Sequence, residues 1–443
     1  MKILRFKALL QNQGWLEHAT ISIDNSGKIA AISQTEDGEF INGYAIPAFQ
    51  NAHSHAFQYA MAGLAENHTG DDDFWSWREA MYSLALNLNP DEMKTIAAMV
   101  YAEMLRQGYS NVAEFHYVHH DKNGNPYNNL ATMGEALIEA AKEAGIKITL
   151  IPIFYQKGGF GIEPNERQRR FISNTFDDYA RLFEASAELC ERHSHANISV
   201  GIHSMRGVNH EDILRVINEL PNNIPFHIHV SEQIKEVEDC INYLGKRPVE
   251  WLLENTELNE RFHLVHATHL NENETEKLAK SEGNVVLCPS TESNLGDGLF
   301  PLRQFQSFGG NWSIGTDSHI GLNPLEELRL LDYGQRLISH QRNTFPGNSG
   351  LFAITKATIA GRKAMNNFTK EFFAIGEPFD ACVINGDAPL LECVRLENLA
   401  STIVYSTDAS HILGTFVDGK FVGKDDKYQQ IKENFIDCVK KFR

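Results

Sequence analysis

The sequence predicts an α/β fold, a (β/α)8 TIM barrel carrying a small β-sandwich domain built from both chain ends. Three observations lead there. From about residue 48, short apolar runs alternate with longer helical patterns over roughly 320 residues, which favours a barrel or a doubly wound sheet. The later runs, IPFHIHV and NVVLCP, are apolar almost throughout, as strands covered on both faces must be. No Gly-x-Gly-x-x-Gly follows the first run, so the doubly wound, dinucleotide-binding option is the weaker one.

Residues 1–46 contain ATISIDNSGKIAAISQ, an alternating pattern about a turn at Asn25-Ser26-Gly27, as in a β-hairpin. The first barrel strand leads into NAHSH (51–55). A cap residue, a proline and two acids at Asn89-Pro90-Asp91-Glu92 open a helix that ends at Gly108. VAEFHY (112–117), the helical GEALIEAAKEAG (134–145) and IKITLIPIFY (146–155) come next. A long helical region precedes ISVGIHS (198–204), and a short helix near 210–219 precedes PFHIHV (225–230). RFHLVHA (261–267), NVVLCP (284–289) and NWSIGTD (311–317) complete the strands. Over 380–421, DACVINGD, STIVY and GTFVDGKFVG read as strands again, and YQQIKENFIDCVKKFR reads as an amphipathic helix. The expected division is 47–376 for the barrel, with 1–46 and 377–443 forming the β domain and its C-terminal helix.

The chain carries 40 Lys and Arg against 58 Asp and Glu, a formal net charge of −18. That argues against nucleic acid, whose binding rests on cations at phosphates, and an anionic substrate would need local arginines. Six scattered cysteines without a CxxC suit a reducing compartment better than a disulfide framework. The N-terminal apolar run is too short for a signal peptide, and no apolar stretch reaches the roughly 18 residues of a membrane span. The expectation is a cytoplasmic protein with neither nucleic-acid nor membrane partner.

His53-Ser54-His55 stands where the first barrel strand ends, and period-2 geometry puts both imidazoles on one side, about 6–7 Å apart at their α-carbons. A His-x-His alone is a weak signal, because His193-Ser194-His195 and His227-Ile228-His229 match it too. The 193–195 pair follows RLFEASAELCER and reads as a solvated helix end. The 53–55 pair gains from partners at corresponding strand ends: His229 on the fifth strand, His266 on the sixth and Asp317 on the eighth. Barrel enzymes carry their chemistry at the C-terminal ends of the strands. His53, His55, His229 and Asp317 are therefore the expected ligands of one divalent metal ion. Three neutral imidazoles and a carboxylate suit Zn²⁺, and Fe²⁺ also fits. His227 shares the face of His229 but lies deeper, so a core role is expected; His116, His119, His120, His263 and His319 read as hydrogen-bonded histidines.

A divalent cation brings the pKa of water toward neutrality, so the set supports attack of a metal-bound hydroxide on a planar carbon with loss of an amine or ammonia. Glu232, three residues beyond His229, stands close enough to move a proton; the plainer reading is an acid at the start of the helix SEQIKEVEDC. Asp317 can also take a proton from the attacking water, and His266 can polarise the electrophile. No serine or cysteine stands in an activated setting, so a covalent route is disfavoured. The acidic and aromatic stretch 66–83 reads as a lid or a subunit contact at the strand-end rim.

NAHSHAFQ (51–58), HVSEQ (229–233), LVHATHL (264–270) and GTDSH (315–319) resemble the amidohydrolase superfamily in its mononuclear deaminase branch, over nearly the whole chain. The two-metal branch bridges its ions with a carboxylated lysine. No lysine stands inside IPIFY or ISVGIHS, so one ion is expected. Closer still, HSHAFQYAMAGLAE (53–66), FWSWRE (74–79), EMLRQGYSNVAEFHYVHH (103–120) and GIHSMRGV (201–208) resemble the formimidoylglutamate deiminases. Those enzymes hydrolyse N-formimidoyl-L-glutamate to N-formyl-L-glutamate and ammonia in histidine degradation. The resemblance implies the ion at His53, His55, His229 and Asp317, and Glu232 as the principal proton-transfer residue. It further implies substrate contacts at Gln58, Arg78, Tyr117, His203 and Arg206, and a homodimer. Arginine fits a substrate with two carboxylates, since its planar fork binds a carboxylate through two hydrogen bonds.

Other readings stay open on the residues alone. Trp75, Trp77, Phe57 and Phe160 could stack on a ring, so a deaminase of a purine, pterin or other heterocycle would use the same site. Cleavage of a cyclic amide is another option. A non-catalytic scaffold is the reading from a different class, and such a barrel would be expected to have lost ligands that this chain keeps.

Overall fold

The computed structural model describes residues 1–66, 74–342, 344–423 and 426–443. Eight parallel strands make the barrel: β1 Phe49–Ser54, β2 Tyr109–His116, β3 Lys147–Phe154, β4 Val200–Ser204, β5 Phe226–Val230, β6 Phe262–His266, β7 Asn284–Leu287 and β8 Asn311–Ile314. Each pairs with the next in chain order, and Ala196–Ile198 adds a short parallel segment beside β3. Every residue of β1, β5, β6 and β7 is buried, which the unbroken apolar runs required.

Closure between β8 and β1 runs through the backbone of three expected ligands. His53 O accepts from the N–H groups of Thr316 and Asp317 at 3.1 and 3.0 Å, and His55 N–H donates to Asp317 O at 3.1 Å. Gly315 is required for this approach, because a Cβ there would lie 2.8 Å from the His53 Cβ and 2.9 Å from its backbone N and O. The helix expected after residue 89 runs Pro90–Arg106. Asn89 and Glu92 form a reciprocal capping box, and Pro90 takes the position where its missing N–H costs nothing.

Both chain ends join in one small β domain. Its strands follow the order Lys420–Val422, Ile412–Val417, Ala381–Asn385, Glu39–Pro47, Lys2–Gln11, Thr20–Ile23 and Ile29–Ser33, and Gly14–Glu17 pairs with Lys2–Gln11. Phe6, Phe379 and Phe416 pack ring against ring at its centre. One strand expected here is absent: STIVY lies inside the helix Leu396–Ser406. That helix buries Leu399, Ala400, Ile403 and Val404, a three-and-four spacing that fits a helix face. Tertiary burial thus outweighs the strand preference of its β-branched residues.

Lys147, at the N-terminal end of β3, pairs with Asp380 and Asp418 of the small domain and ties it to the barrel. The final helix, Asp426–Val439, lies against Pro90–Arg106. Beyond it Arg443 donates to the carbonyls of Ala60 and Ala62 at 3.2 and 2.8 Å. Among the described residues no helix is long and apolar enough to cross a membrane. Of the expected lid at 66–83, residues 67–73 and the ring of Trp75 lie outside the described residues; the helix Phe74–Ala85 follows them.

Candidate active site

His53, His55, His229 and Asp317 converge at the C-terminal ends of β1, β5 and β8, with all four ligand atoms within 4.8 Å of one another. His53 Nε2 stands 3.2 Å from His55 Nε2 and 3.0 Å from His229 Nε2. Asp317 Oδ1 lies 3.4 and 3.3 Å from the same atoms of His53 and His55. The outer nitrogens explain this convergence. His55 Nδ1 lies 2.9 Å from Phe115 O and His229 Nδ1 lies 3.0 Å from His203 O. A carbonyl only accepts, so both Nδ1 atoms carry the proton and both Nε2 atoms turn bare lone pairs inward. Lone pairs facing one another beside a carboxylate repel unless a cation lies between them, so the donor set fits a single divalent ion.

Electrostatics agree with ligation. Burial lowers the pKa values of all three imidazoles, that of His53 to about 3, which keeps them neutral as ligands must be. Burial alone would raise Asp317; the hydrogen bond with His53 and the nearby His55 and His266 reverse that and hold its carboxyl well below the ordinary range. The strand ends also store backbone strain. Ser231, His266, Ala267, Asp317 and His319 all adopt positive φ, at 52, 69, 50, 47 and 63°.

His266 stands on the other side of Asp317. Its Nε2 is 3.8 Å from Asp317 Oδ2 and 3.8 Å from Glu232 Oε1, and its Nδ1 is 3.2 Å from Glu292 Oε1. Burial works against a charge on this ring, yet Glu232, Glu292 and Asp317 together push its pKa to about 10. Glu292 is a site residue that the sequence did not reveal. It lies in the helix Pro289–Leu295 after β7 and also accepts the Cys288 N–H at 2.9 Å, and nothing in CPSTESN announces a histidine partner.

A pocket opens onto these groups, and Gln58, Arg78, Tyr117, His203 and Arg206 all line it. Gln58 Nε2 donates to Tyr117 Oη at 3.0 Å, while Gln58 Oε1 is buried with no partner among the described residues. Arg78 donates to Tyr82 Oη at 2.9 Å, and Arg206 lies 3.3 Å from Glu236 Oε2. His203 stacks beneath Tyr155 at 4.1 Å between ring centroids. Tyr82, Tyr155, Phe171 and Glu236 are further residues that the sequence reading missed. Aromatic residues at strand ends were a usable signal for Tyr155, which follows β3 as Tyr117 follows β2.

Of the histidines expected to be hydrogen-bonded, His119, His120 and His319 are, whereas both ring nitrogens of His263 are buried with no hydrogen-bond partner among the described residues. His119 and His120 bond to the carbonyls of Ile153 and Ile172 at 3.0 and 2.8 Å, and His195 bonds to Ile138 O at 3.1 Å. His319 is held by Thr316 Oγ1 and Ser54 Oγ at 2.9 and 3.3 Å. His227 bonds to Ala364 O at 3.1 Å, deep in the barrel. Of the aromatics expected for ring stacking, Trp77 lines the pocket, whereas Phe160 packs on Tyr243 and Phe57 packs edge-on against Tyr117.

A parallel eight-stranded barrel with a His/Asp metal-binding cluster at its strand ends is the architecture of a metal-dependent hydrolase. Residues 44–422 match the Amidohydrolase family, and the chain belongs to that family. It is 38% identical over 431 residues to the formimidoylglutamate deiminase of Pseudomonas aeruginosa, covering 95% of this chain and 94% of that one. The crystal structure of an amidohydrolase from Brucella melitensis has a TM-score of 0.94 at 36% identity, with 100% of both chains covered. An adenosine deaminase from Xanthomonas campestris with bound zinc shares the fold, at a TM-score of 0.83 and 19% identity over 100% of this chain and 98% of that one.

Proposed function

We propose that this protein hydrolyses the amidine C–N bond of N-formimidoyl-L-glutamate, giving N-formyl-L-glutamate and ammonia. The observation that carries the reading is one pocket in which three imidazoles and a carboxylate converge beside Glu232 and His266, with Arg78 and Arg206 lining the same space. The similarity to the P. aeruginosa deiminase supports the choice of substrate.

His53, His55, His229 and Asp317 would hold the ion. When bound there, a divalent cation supplies Lewis-acid polarisation and makes water a usable nucleophile near neutral pH. Glu232 carries the two protons of the attacking water in turn to the departing nitrogen, the second as the C–O bond becomes a carbonyl, so that ammonia leaves and the oxygen stays on carbon. His266, kept protonated by its three carboxylate neighbours, donates to the charge that develops at the reacting centre. Arg206 and Arg78 bind the carboxylates of the glutamate portion, Tyr117 and Gln58 add neutral hydrogen bonds, and His203 supports them. Binding energy from these remote groups fixes the amidine against the water, which is where such energy accelerates a reaction.

Zn²⁺ suits the donor set, and the zinc-bound adenosine deaminase with the same fold supports that choice. Six free cysteines support a cytoplasmic setting. A homodimer, and a division of the chain at 46/47 and 376/377, complete the reading; metal analysis, light scattering and limited proteolysis test them. The decisive experiment measures ammonia release from N-formimidoyl-L-glutamate, guanine, adenosine and cytosine by the metal-loaded protein. Release from the first alone is expected; release from a ring substrate instead would replace this reading with a heterocycle deaminase.

A further inference from the structure

We propose that Glu236 is a positioning residue, which holds Arg206 in its substrate-binding place and away from Glu232. The inference rests on the reading of Glu232 and Arg206 given above, and it adds a residue that directs both.

Glu236 sits in the first turn of the helix Ile234–Leu244, just past β5, with 2% of its side chain exposed. Three groups meet its carboxylate. Ser231 N–H donates to Oε1 at 3.3 Å, Glu232 N–H donates to Oε2 at 3.2 Å, and Arg206 Nη1 stands 3.3 Å from Oε2. The two N–H groups belong to the turn that leaves β5, where Ser231 takes a positive φ of 52°. One buried carboxylate therefore fixes the backbone that aims Glu232 and the guanidinium that lines the pocket. A carboxylate accepting two backbone N–H groups and a guanidinium has its lone pairs well used, so its geometry is stiff.

Arg206 has a second acid within electrostatic reach. Burial opposes its charge, and Glu236 first and Glu232 second offset that. Arg206 and Glu232 line the same pocket. Without Glu236, the largest remaining negative charge acting on the guanidinium is that of the proton-transfer carboxylate itself. An ion pair between them would take the fork away from the substrate and make Glu232 a poorer base. A carboxylate that served only to start its helix would leave substrate affinity and Arg206 uncoupled from it.

The test is a double-mutant cycle on the metal-loaded enzyme with N-formimidoyl-L-glutamate, using Glu236→Gln, Arg206→Ala and the pair. Gln keeps the size and one acceptor oxygen but drops the charge, so the fold and the metal content are expected to stay. Glu236→Gln should raise KM about tenfold and lower kcat by roughly ten- to a hundredfold, as losing a charge-assisted contact and a well-aimed base implies. In the Arg206→Ala background the same change should leave KM unaltered and cost less in kcat, because the misdirected guanidinium is gone. Additive effects in the cycle, or a lower melting temperature with KM unchanged, would overturn the proposal and leave Glu236 a helix-start residue. Should Glu236→Gln fail to fold, Glu236→Asp in the same cycle keeps the charge on a shorter arm, and coupling of its KM to Arg206 decides in the same way. Wild-type enzyme that releases no ammonia from this substrate would instead overturn the substrate assignment, a separate result.

Discussion

Strands β5 and β6 each carry two histidines, and the two ends of these strands use them in opposite ways. At the C-terminal end, His229 turns a bare Nε2 toward His53, His55 and the Asp317 carboxylate, with its Nδ1 tied to His203 O. At the N-terminal end, His227 and His263 stack face to face at 4.8 Å with their planes 17° apart, and His227 bonds to Ala364 O. Among the described residues no carboxylate joins the lower pair in a ligand-like cluster, and the charge that acts on His263 is that of Lys363. Neutral imidazoles, similarly buried, thus become ligands where an acid converges with them and core residues where another ring stacks on them instead. Spacing of two along a strand chooses the face, but depth and counter-charge choose the chemistry.

The largest expected effect comes from exchanging the two members of β5. His229→Ala should abolish metal uptake and lower kcat/KM by at least about a thousandfold, since one of three nitrogen ligands is lost. His227→Leu should keep the full metal content and activity within a few-fold, because an apolar residue of similar size suits a core position. Metal analysis beside a rate assay separates the two, and equal losses would dissolve the contrast between the ends of the barrel.

Glu232→Gln sharpens the upper end of the comparison. It should lower kcat by roughly a hundred- to ten-thousandfold with metal content kept, the loss typical of a removed general acid–base group. Metal loss on that scale would make Glu232 a ligand-supporting residue instead.

A smaller effect belongs to the substrate side. Arg206→Ala should raise KM with kcat less affected, at a cost of about 1.5–3 kcal/mol for one charge-assisted contact. Titration calorimetry with N-formyl-L-glutamate gives the same number without turnover; unchanged affinity would place the carboxylates elsewhere in the pocket.

The last effect lies at the lower end and concerns stability against pH rather than catalysis. Burial, and then Lys363, lower the pKa of His263 from 6.5 to about 3. A depressed folded value means the unfolded chain takes the proton first. The associated stability is therefore complete above pH 6.5 and is lost as pH falls from there toward 3, at about 1.4 kcal/mol per pH unit for each proton taken up. His263→Leu should flatten this part of the acid limb in urea melts between pH 7 and 4. An unaltered slope would assign the acid sensitivity to other groups.

Much of this was legible in the chain. The eight apolar runs located the barrel strands because strands buried on both faces can carry little else, and the capping box at Asn89 and Glu92 marked its helix for a local reason. STIVY misled because β-branched propensity is weaker than burial of a helical face. Glu236 and Glu292 were invisible because their partners, Arg206 and His266, stand 30 and 26 positions away. An acid in the first turn of a helix looks the same whether or not it holds a catalytic group.

By itself the sequence determined the barrel, the identity of the residues at its strand ends and the histidine, aspartate and arginine types available there, because period and composition are local properties of a strand. Only the tertiary structure decided which histidines face a carboxylate, which nitrogen of each ring is left bare, and which acids orient Arg206 and His266. Those choices depend on backbone carbonyls and counter-charges that closure of the barrel brings together from remote parts of the chain, and no pattern in the sequence encodes the distances between them.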